Sequence, residues 1–426
     1  MGCNDIGQET GALNKGLGFL GRAASMEDVA ALRWNLLRED VSLPCAVLYE
    51  DRLRHNLEWM GEFIAAYGLK LAPHGKTTMT PKLFAMQLAG GAWGITLATA
   101  HQTVVAHAHG VRRVLMANQL VGRENMAMIA RLMEEDAEFE FYCLVDSVAL
   151  VEQLGAFFHE RGLRLPVLLE LGVAGGRTGV RDEMQLDAVL AALSSWSGAV
   201  ALCGVEMYEG VLEEEGSIRE FLQRAVGVTR RLLKEKRIAC APALLSGAGS
   251  AWYDVVAEEF SAAGFGDAVE IVLRPGCYLT HDIGAYREAQ KRIGAENPVA
   301  RSVNSKMRSG LLPALQVWTY VQSRPEAEKA ILAMGKRDAA FDAGFPVAAV
   351  WFRPGDAELQ GAPAHWTVTR MMDQHAFMQI GAGDDVRVGD MIGFDISHPC
   401  LTFDKWRTLV VVNAEYDVVD VVETYF

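Results

Sequence analysis

From residue 45 onward, short apolar runs alternate with segments whose apolar positions recur at helical spacing. The runs predict strands at 45–48, 69–72, 94–97, 113–117, 139–145, 167–171, 201–207, 243–246 and 268–273. Between them, segments such as 51–66, 80–88 and 217–236 predict amphipathic helices. Strands that are apolar throughout belong to parallel sheets buried on both faces. Eight such units close a (β/α)8 barrel, and nine candidates are one too many. The earliest, 45–48, is the best candidate to lie outside the barrel and pack on another domain. After about residue 290 the pattern changes. Runs at 313–321, 330–335, 346–352, 365–372, 391–395, 406–412 and 418–425 predict strands joined by Gly, Pro and Asp turns, with little helical periodicity.

The expected organisation is an N-terminal extension (1–40), a barrel (41–290) and an all-β domain (291–426). A helix is expected over 25–38, with Ser25 as N-cap and Glu27 and Asp28 in its first turn. Half of the 426 residues are hydrophobic, enough for large cores. Forty basic against 54 acidic residues give a net charge of −14, which disfavours nonspecific binding to nucleic acid or anionic membranes. No apolar run approaches the ~20 residues of a membrane helix. The polar, glycine-rich start lacks a signal-peptide layout, and seven scattered cysteines suggest a reduced, cytoplasmic protein. Cys143 and Cys203 fall inside strand patterns and suit small core residues.

Four segments can carry chemistry. Lys76, in Leu71-Ala72-Pro73-His74-Gly75-Lys76-Thr77-Thr78, follows an apolar strand, where barrel enzymes keep their active sites. A lysine held away from water there can form a Schiff base and act as a base; the same spacing also suits a solvated loop lysine. Ser246-Gly247-Ala248-Gly249-Ser250 ends a late strand before a helix, and is either an anion cradle or a glycine-rich turn. Arg177, after the strand 167–171, could hold a phenolate or carboxylate, or pair with surface acids. His398-Pro399-Cys400 puts an imidazole and a thiol two residues apart, which on an extended segment point to one side and could hold Zn²⁺. Two protein ligands imply an open, catalytic site rather than a structural one. His375 is a third candidate near that site; a core or interface histidine is the alternative.

With these segments assembled, the chain resembles the fold-type III pyridoxal-phosphate (PLP) enzymes, and most of all the D-serine dehydratase and D-threonine aldolase family. The resemblance runs from about residue 42 to 426. It is carried by Pro73-His74-Gly75-Lys76-Thr77 and by His398-Pro399-Cys400 with Thr402-Phe403-Asp404-Lys405-Trp406. It implies a PLP-binding (β/α)8 TIM barrel of the alanine racemase N-terminal kind, a C-terminal β-domain and a homodimer. It makes Lys76 the PLP lysine, with His74 beside it. Gly247, Ala248, Gly249 and Ser250 would cradle the phosphate, Arg177 would lie near the phenolic oxygen and Tyr208 near the pyridine ring. His398 and Cys400 become zinc ligands; aldolase relatives commonly carry Asp in place of the cysteine. The chain departs from the family at Asp373-Gln374-His375, where Glu-Glu-His is common, and in its phosphate loop.

The activity so implied is PLP- and zinc-dependent β-elimination of D-serine to pyruvate and ammonia. Lys76 would remove the α-proton, and zinc would stabilise charge on the departing hydroxide. The alternative is a metal-dependent retro-aldol lyase of the D-threonine aldolase type, acting on β-hydroxy-D-amino acids with the same parts. A non-enzymatic PLP carrier or a racemase has no need of the His-x-Cys pair.

Overall fold

The computed structural model describes residues 14–17, 29 and 31–426. Residues 25–28 and 30 of the helix expected over 25–38 lie outside the described residues; the rest is not one helix, because Arg33 is left-handed (φ 53°), Asn35 forms a β-bridge with Asp417, and Leu36–Arg38 is a separate 3₁₀ turn capped by the Asn35 side chain.

Two sheets organise the chain. The first is the expected barrel, made of β2 (Lys70–Leu71), β3 (Ile95–Leu97), β4 (Arg113–Gln119), β5 (Glu140–Val145), β6 (Leu165–Leu171), β7 (Val200–Met207), β8 (Ala243–Gly247) and β9 (Val269–Leu273). All are parallel, in the order β2-β9-β8-β7-β6-β5-β4-β3. The ring closes past the end of β2, where His74 bridges to Thr96 and the Thr96 hydroxyl donates to the Ala72 carbonyl at 2.6 Å. Inside it, Ala72, Leu115, Leu144, Leu168, Ala201, Cys203, Leu244 and Val272 pack as one apolar cluster. The opposite faces of the strands pack on the helices, as continuous apolar runs require.

The strand β1 (Cys45–Tyr49) does lie outside the barrel. It pairs antiparallel with β10 (Leu315–Glu326) and parallel with β17 (Thr408–Val412), in the middle of the second sheet. That sheet also holds β11 (Lys329–Leu332), β12 (Val347–Phe352), β13 (Gln360–Gly361), β14 (Thr367–Met371), β15 (Ala376–Gln379), β16 (Met391–Asp395) and β18 (Val418–Glu423). Apart from β1 with β17, its pairings are antiparallel.

Two expectations need correction. Helices Ala285–Glu296 and Pro298–Met307 precede β10, so the β-rich part begins later than residue 290. Both helices are polar and bury only two residues each, Gln290 and Ile293 in the first and Ala300 and Val303 in the second. Cys203 is a buried barrel residue as expected, but it is joined to Cys240 in a disulfide, so the cysteines are not all free. Among the described residues no helix is long and apolar enough to cross a membrane.

Candidate functional site

A cavity of about 270 Å³ opens at the C-terminal ends of the barrel strands. Lys76, His74, Arg177 and Tyr208 line it, and so do Gly249, Ser250, His398 and Cys400. Residues more than 300 positions apart thus share one space. Beyond β2 the chain turns at His74 into the 3₁₀ turn Gly75–Thr77, which presents Lys76. Its side chain is exposed within the cavity. Arg177 lies over the Tyr208 ring, 5.1 Å from its centroid. A Cβ on Gly249 would meet that ring at 2.9 Å, so the glycine gives Tyr208 its place.

The expected anion cradle is arranged differently. Gly247 ends β8 in the core and, with Ala248, does not line the cavity. The Ala248 and Gly249 N–H groups donate to the buried Glu209 carboxylate, at 3.1 and 2.6 Å. A buried carboxylate needs such donors, so these two amides are already taken. The polar groups that remain on the wall are Ser250 Oγ and the N–H groups of Gly276 and Cys277, which donate to it at 3.2 Å each. Gly276 lets this loop approach the Lys76 turn: a Cβ there would stand 2.6 Å from His74 Cβ and 2.8 Å from Thr77 Oγ1.

Arg274 was missed in the sequence, although a guanidinium ending an apolar strand before Pro275-Gly276 is an unusual signal. It is 2 % exposed, is ion-paired with Glu206 and donates to the Met207 carbonyl at 3.2 Å. Its Nη1 is 3.4 Å from His74 Nε2. Burial, with Arg274 and Lys76 adding to it, holds the His74 imidazole well below its ordinary pKa, so it is neutral. Burial pushes Glu206 up to about 8 against the pull of Arg274. His74 Nδ1, Glu206 Oε2 and Arg274 Nε are buried with no protein hydrogen-bond partner.

His398 and Cys400 meet, though not on an extended segment. Pro399 is helical (φ −57°, ψ −48°), and Cys400 starts the short helix Cys400–Phe403. Asp342 Oδ2 holds His398 Nδ1 at 2.7 Å, leaving Nε2 for a ligand. The Cys400 thiol is pulled well down by hydrogen bonds from Cys277 and then His398, against burial. Cys277 and Tyr286, also unforeseen, complete this wall. His375 is exposed in the turn between β14 and β15, off the cavity. Among the described residues no three His, Cys, Asp or Glu side chains gather around one point.

Residues 49–280 match the family model of the alanine racemase N-terminal domain, and 314–412 that of the putative serine dehydratase domain. The chain belongs to the fold-type III PLP family of D-serine dehydratases and D-threonine aldolases. It is 26% identical to the D-threonine aldolase of an Arthrobacter species over 385 residues, 88% of this chain and 89% of the aldolase. It is 31% identical to the D-threo-3-hydroxyaspartate dehydratase of Delftia sp. (strain HT23) over 137 residues, 32% of this chain and 35% of the dehydratase. The solved D-threonine aldolase of Filomicrobium marinum superposes with a TM-score of 0.72 at 22% identity, covering 90% of this chain and 95% of that one.

The residues of this fold-type III chain fit the family's cofactor. A lysine, a polar anion seat and a buried arginine line one cavity, and two of its lining residues, His74 and Arg274, carry unpartnered buried polar atoms. The donor set also suits a metal: the Cys400 sulfur and an imidazole whose far nitrogen is held by a carboxylate share the cavity wall, and no third His, Cys, Asp or Glu joins them among the described residues.

Proposed function

We propose that the chain is a PLP- and metal-dependent lyase of β-hydroxy-D-amino acids that cleaves the Cα–Cβ bond, giving glycine and an aldehyde. The observation that carries this is the meeting of Lys76 with His398 and Cys400 in one cavity. The D-threonine aldolase match over most of both chains supports the retro-aldol outcome.

PLP, when bound, accepts the electron pair left at the substrate Cα. A divalent metal, when bound, polarises the β-hydroxyl. Lys76 Nζ is the amine that would carry the cofactor and, once freed, take the β-hydroxyl proton and return a proton to Cα. Ser250, with the Gly276 and Cys277 amides, would seat the phosphate, and Gly249 keeps the wall clear for Tyr208. Arg274, fixed by Glu206, keeps a cation buried at the base of the cavity. Asp342 holds the Nδ1 proton of His398, so that Nε2 and the Cys400 sulfur are the ligating atoms.

β-Elimination, including D-serine to pyruvate and ammonia, is the second reading. Cys400 favours it. Thiolate is a soft ligand that selects zinc over magnesium or manganese. Moreover, a solved D-threo-3-hydroxyaspartate dehydratase with a cysteine replaced by alanine is in its metal-free form (TM-score 0.71, 22% identity, covering 92% of this chain and 99% of that one).

The test is an assay of D-threonine, 3-hydroxy-D-aspartate and D-serine, reading glycine and aldehyde against ketoacid and ammonia, with chelator and zinc restoration. Glycine without ketoacid supports the aldolase reading, and ketoacid with ammonia selects elimination. Turnover that persists under chelator, or in Cys400→Ala, sinks the metal role.

A further inference from the structure

Glu209 is fully buried, yet it has no part in the chemistry above. It follows Tyr208, in the 3₁₀ turn Glu209–Val211 after β7. Its carboxylate reaches across to the loop after β8. One oxygen accepts from the Gly249 N–H at 2.6 Å and the other from the Ala248 N–H at 3.1 Å. Arg274, the buried cation of this cavity, pairs with Glu206 instead. Burying a carboxylate is costly, and here two backbone donors offset the cost. Ala248 is left-handed (φ 80°), a conformation that residues with a side chain rarely adopt and keep only where their surroundings enforce it. Just beyond, Ser250 Oγ accepts from the Gly276 and Cys277 amides after β9. These hydrogen bonds join the ends of three neighbouring strands, β7, β8 and β9. Neither Glu209 nor Ala248 lines the cavity, so the carboxylate stands behind the wall that carries Ser250.

We propose that Glu209 is a positioning residue for the cofactor's phosphate. It holds the Ala248-Gly249 turn in its left-handed form and thereby sets Ser250 Oγ against the Gly276 and Cys277 amides. The proposal rests on the PLP reading of the cavity. Glu209 does not compete with the phosphate, because its carboxylate lies outside the cavity. Its two acceptor oxygens are what the turn needs, one for each amide. A glutamine in its place would present an NH₂ group to one of them, donor against donor. The turn then loses one of its two ties, and Ser250 drifts from the seat. The loss falls on the phosphate end of the ligand. The aldehyde end, which meets Lys76, does not depend on Ser250.

The test compares PLP with pyridoxal, which has the same aldehyde and no phosphate, by absorbance titration of the apoprotein. Glu209→Gln is expected to weaken PLP by about tenfold, the worth of one hydrogen bond to a charged group, and to leave pyridoxal within about twofold. Thermal unfolding of each variant runs alongside. Ala248→Gly is the second variant. Glycine takes the left-handed turn without strain, so in that background Glu209→Gln should cost PLP about threefold or less. Equal weakening of PLP and pyridoxal makes Glu209 a general structural group and overturns the proposal, as does unchanged PLP affinity. Tighter PLP binding in Glu209→Gln overturns it too, since the carboxylate would then be a competitor for the amides. A penalty undiminished in Ala248→Gly shows that Glu209 does not act through this turn, and counts equally against it. Wild-type protein that does not bind PLP overturns the PLP reading itself.

Discussion

Replacing Gly276 with alanine puts a methyl group 2.6 Å from His74 Cβ, 2.8 Å from Thr77 Oγ1 and 3.0 Å from the His74 carbonyl. Ordinary contacts lie about 1 Å further out, near 3.5–4.0 Å. The carbonyl is backbone and cannot swing aside, so the loop after β9 must retreat from the Lys76 turn. Overpacking of this kind costs about 1–3 kcal/mol of stability. Across 426 residues that lowers the melting temperature by only a few degrees, roughly 1 °C per kcal/mol. The functional cost is larger. The Gly276 and Cys277 amides, now 3.2 Å from Ser250 Oγ, move out of line with the proposed phosphate seat. Once the Ser250 hydroxyl turns away from them toward the phosphate, these two donors to a charged group, at about 1.5 kcal/mol each, amount to roughly 100-fold in PLP affinity. The assay is a PLP titration of apoprotein by absorbance, with thermal unfolding alongside. Wild-type PLP affinity in Gly276→Ala would refute both the contact argument and the assignment of the seat.

Lys76→Ala should abolish turnover and the visible absorbance of the lysine-linked cofactor while leaving the melting temperature within a few degrees, since the side chain is accessible; any surviving turnover with D-threonine or D-serine counts against its role. Asp342→Asn weakens the hold on His398 Nδ1 and should cost about 10–100-fold in zinc affinity, read by chelator competition. His281 is 4 % exposed, and burial lowers its pKa from 6.5 to about 4. The unfolded chain therefore binds more protons between these values, and stability falls as pH drops from about 6.5 to 4. The His281 share approaches about 3 kcal/mol. Urea unfolding at pH 7 and 4.5 should show a smaller acid loss in His281→Gln than in wild type.

Periodicity carried the barrel because each strand is apolar on both faces, and that signal survives without tertiary information. It even placed 45–48 outside the ring, by excess of strands alone. It failed where length or polarity removed the pattern: β13 has two residues, β15 has four, and the helices over 285–307 bury little. In the site, Lys76, His398 and Cys400 were legible as motifs. Asp342 was not, because it reaches His398 from 56 residues away through the loop between β11 and β12. Glu209 could not be foreseen as the acceptor for the Ala248 and Gly249 amides either, since nothing in its spacing marks it. Arg274 was readable in principle, as a charge ending a buried strand.

The position of β1 constrains how the molecule assembles. It leaves one sheet to begin the barrel, and its partners β10 and β17 come only after the barrel is complete. Closing a loop of some 270 residues between Cys45 and Trp318 costs about 5 kcal/mol of chain entropy. The barrel's neighbouring strands are joined by far shorter connections and can close first. On the ribosome, β1 must then wait unpaired while β2 to β9 emerge. The last strands complete the sheet from both sides of β1 and bring His398 and Cys400 to a cavity that already holds Lys76. Cofactor attachment can thus precede completion of the proposed metal site within the life of a single chain.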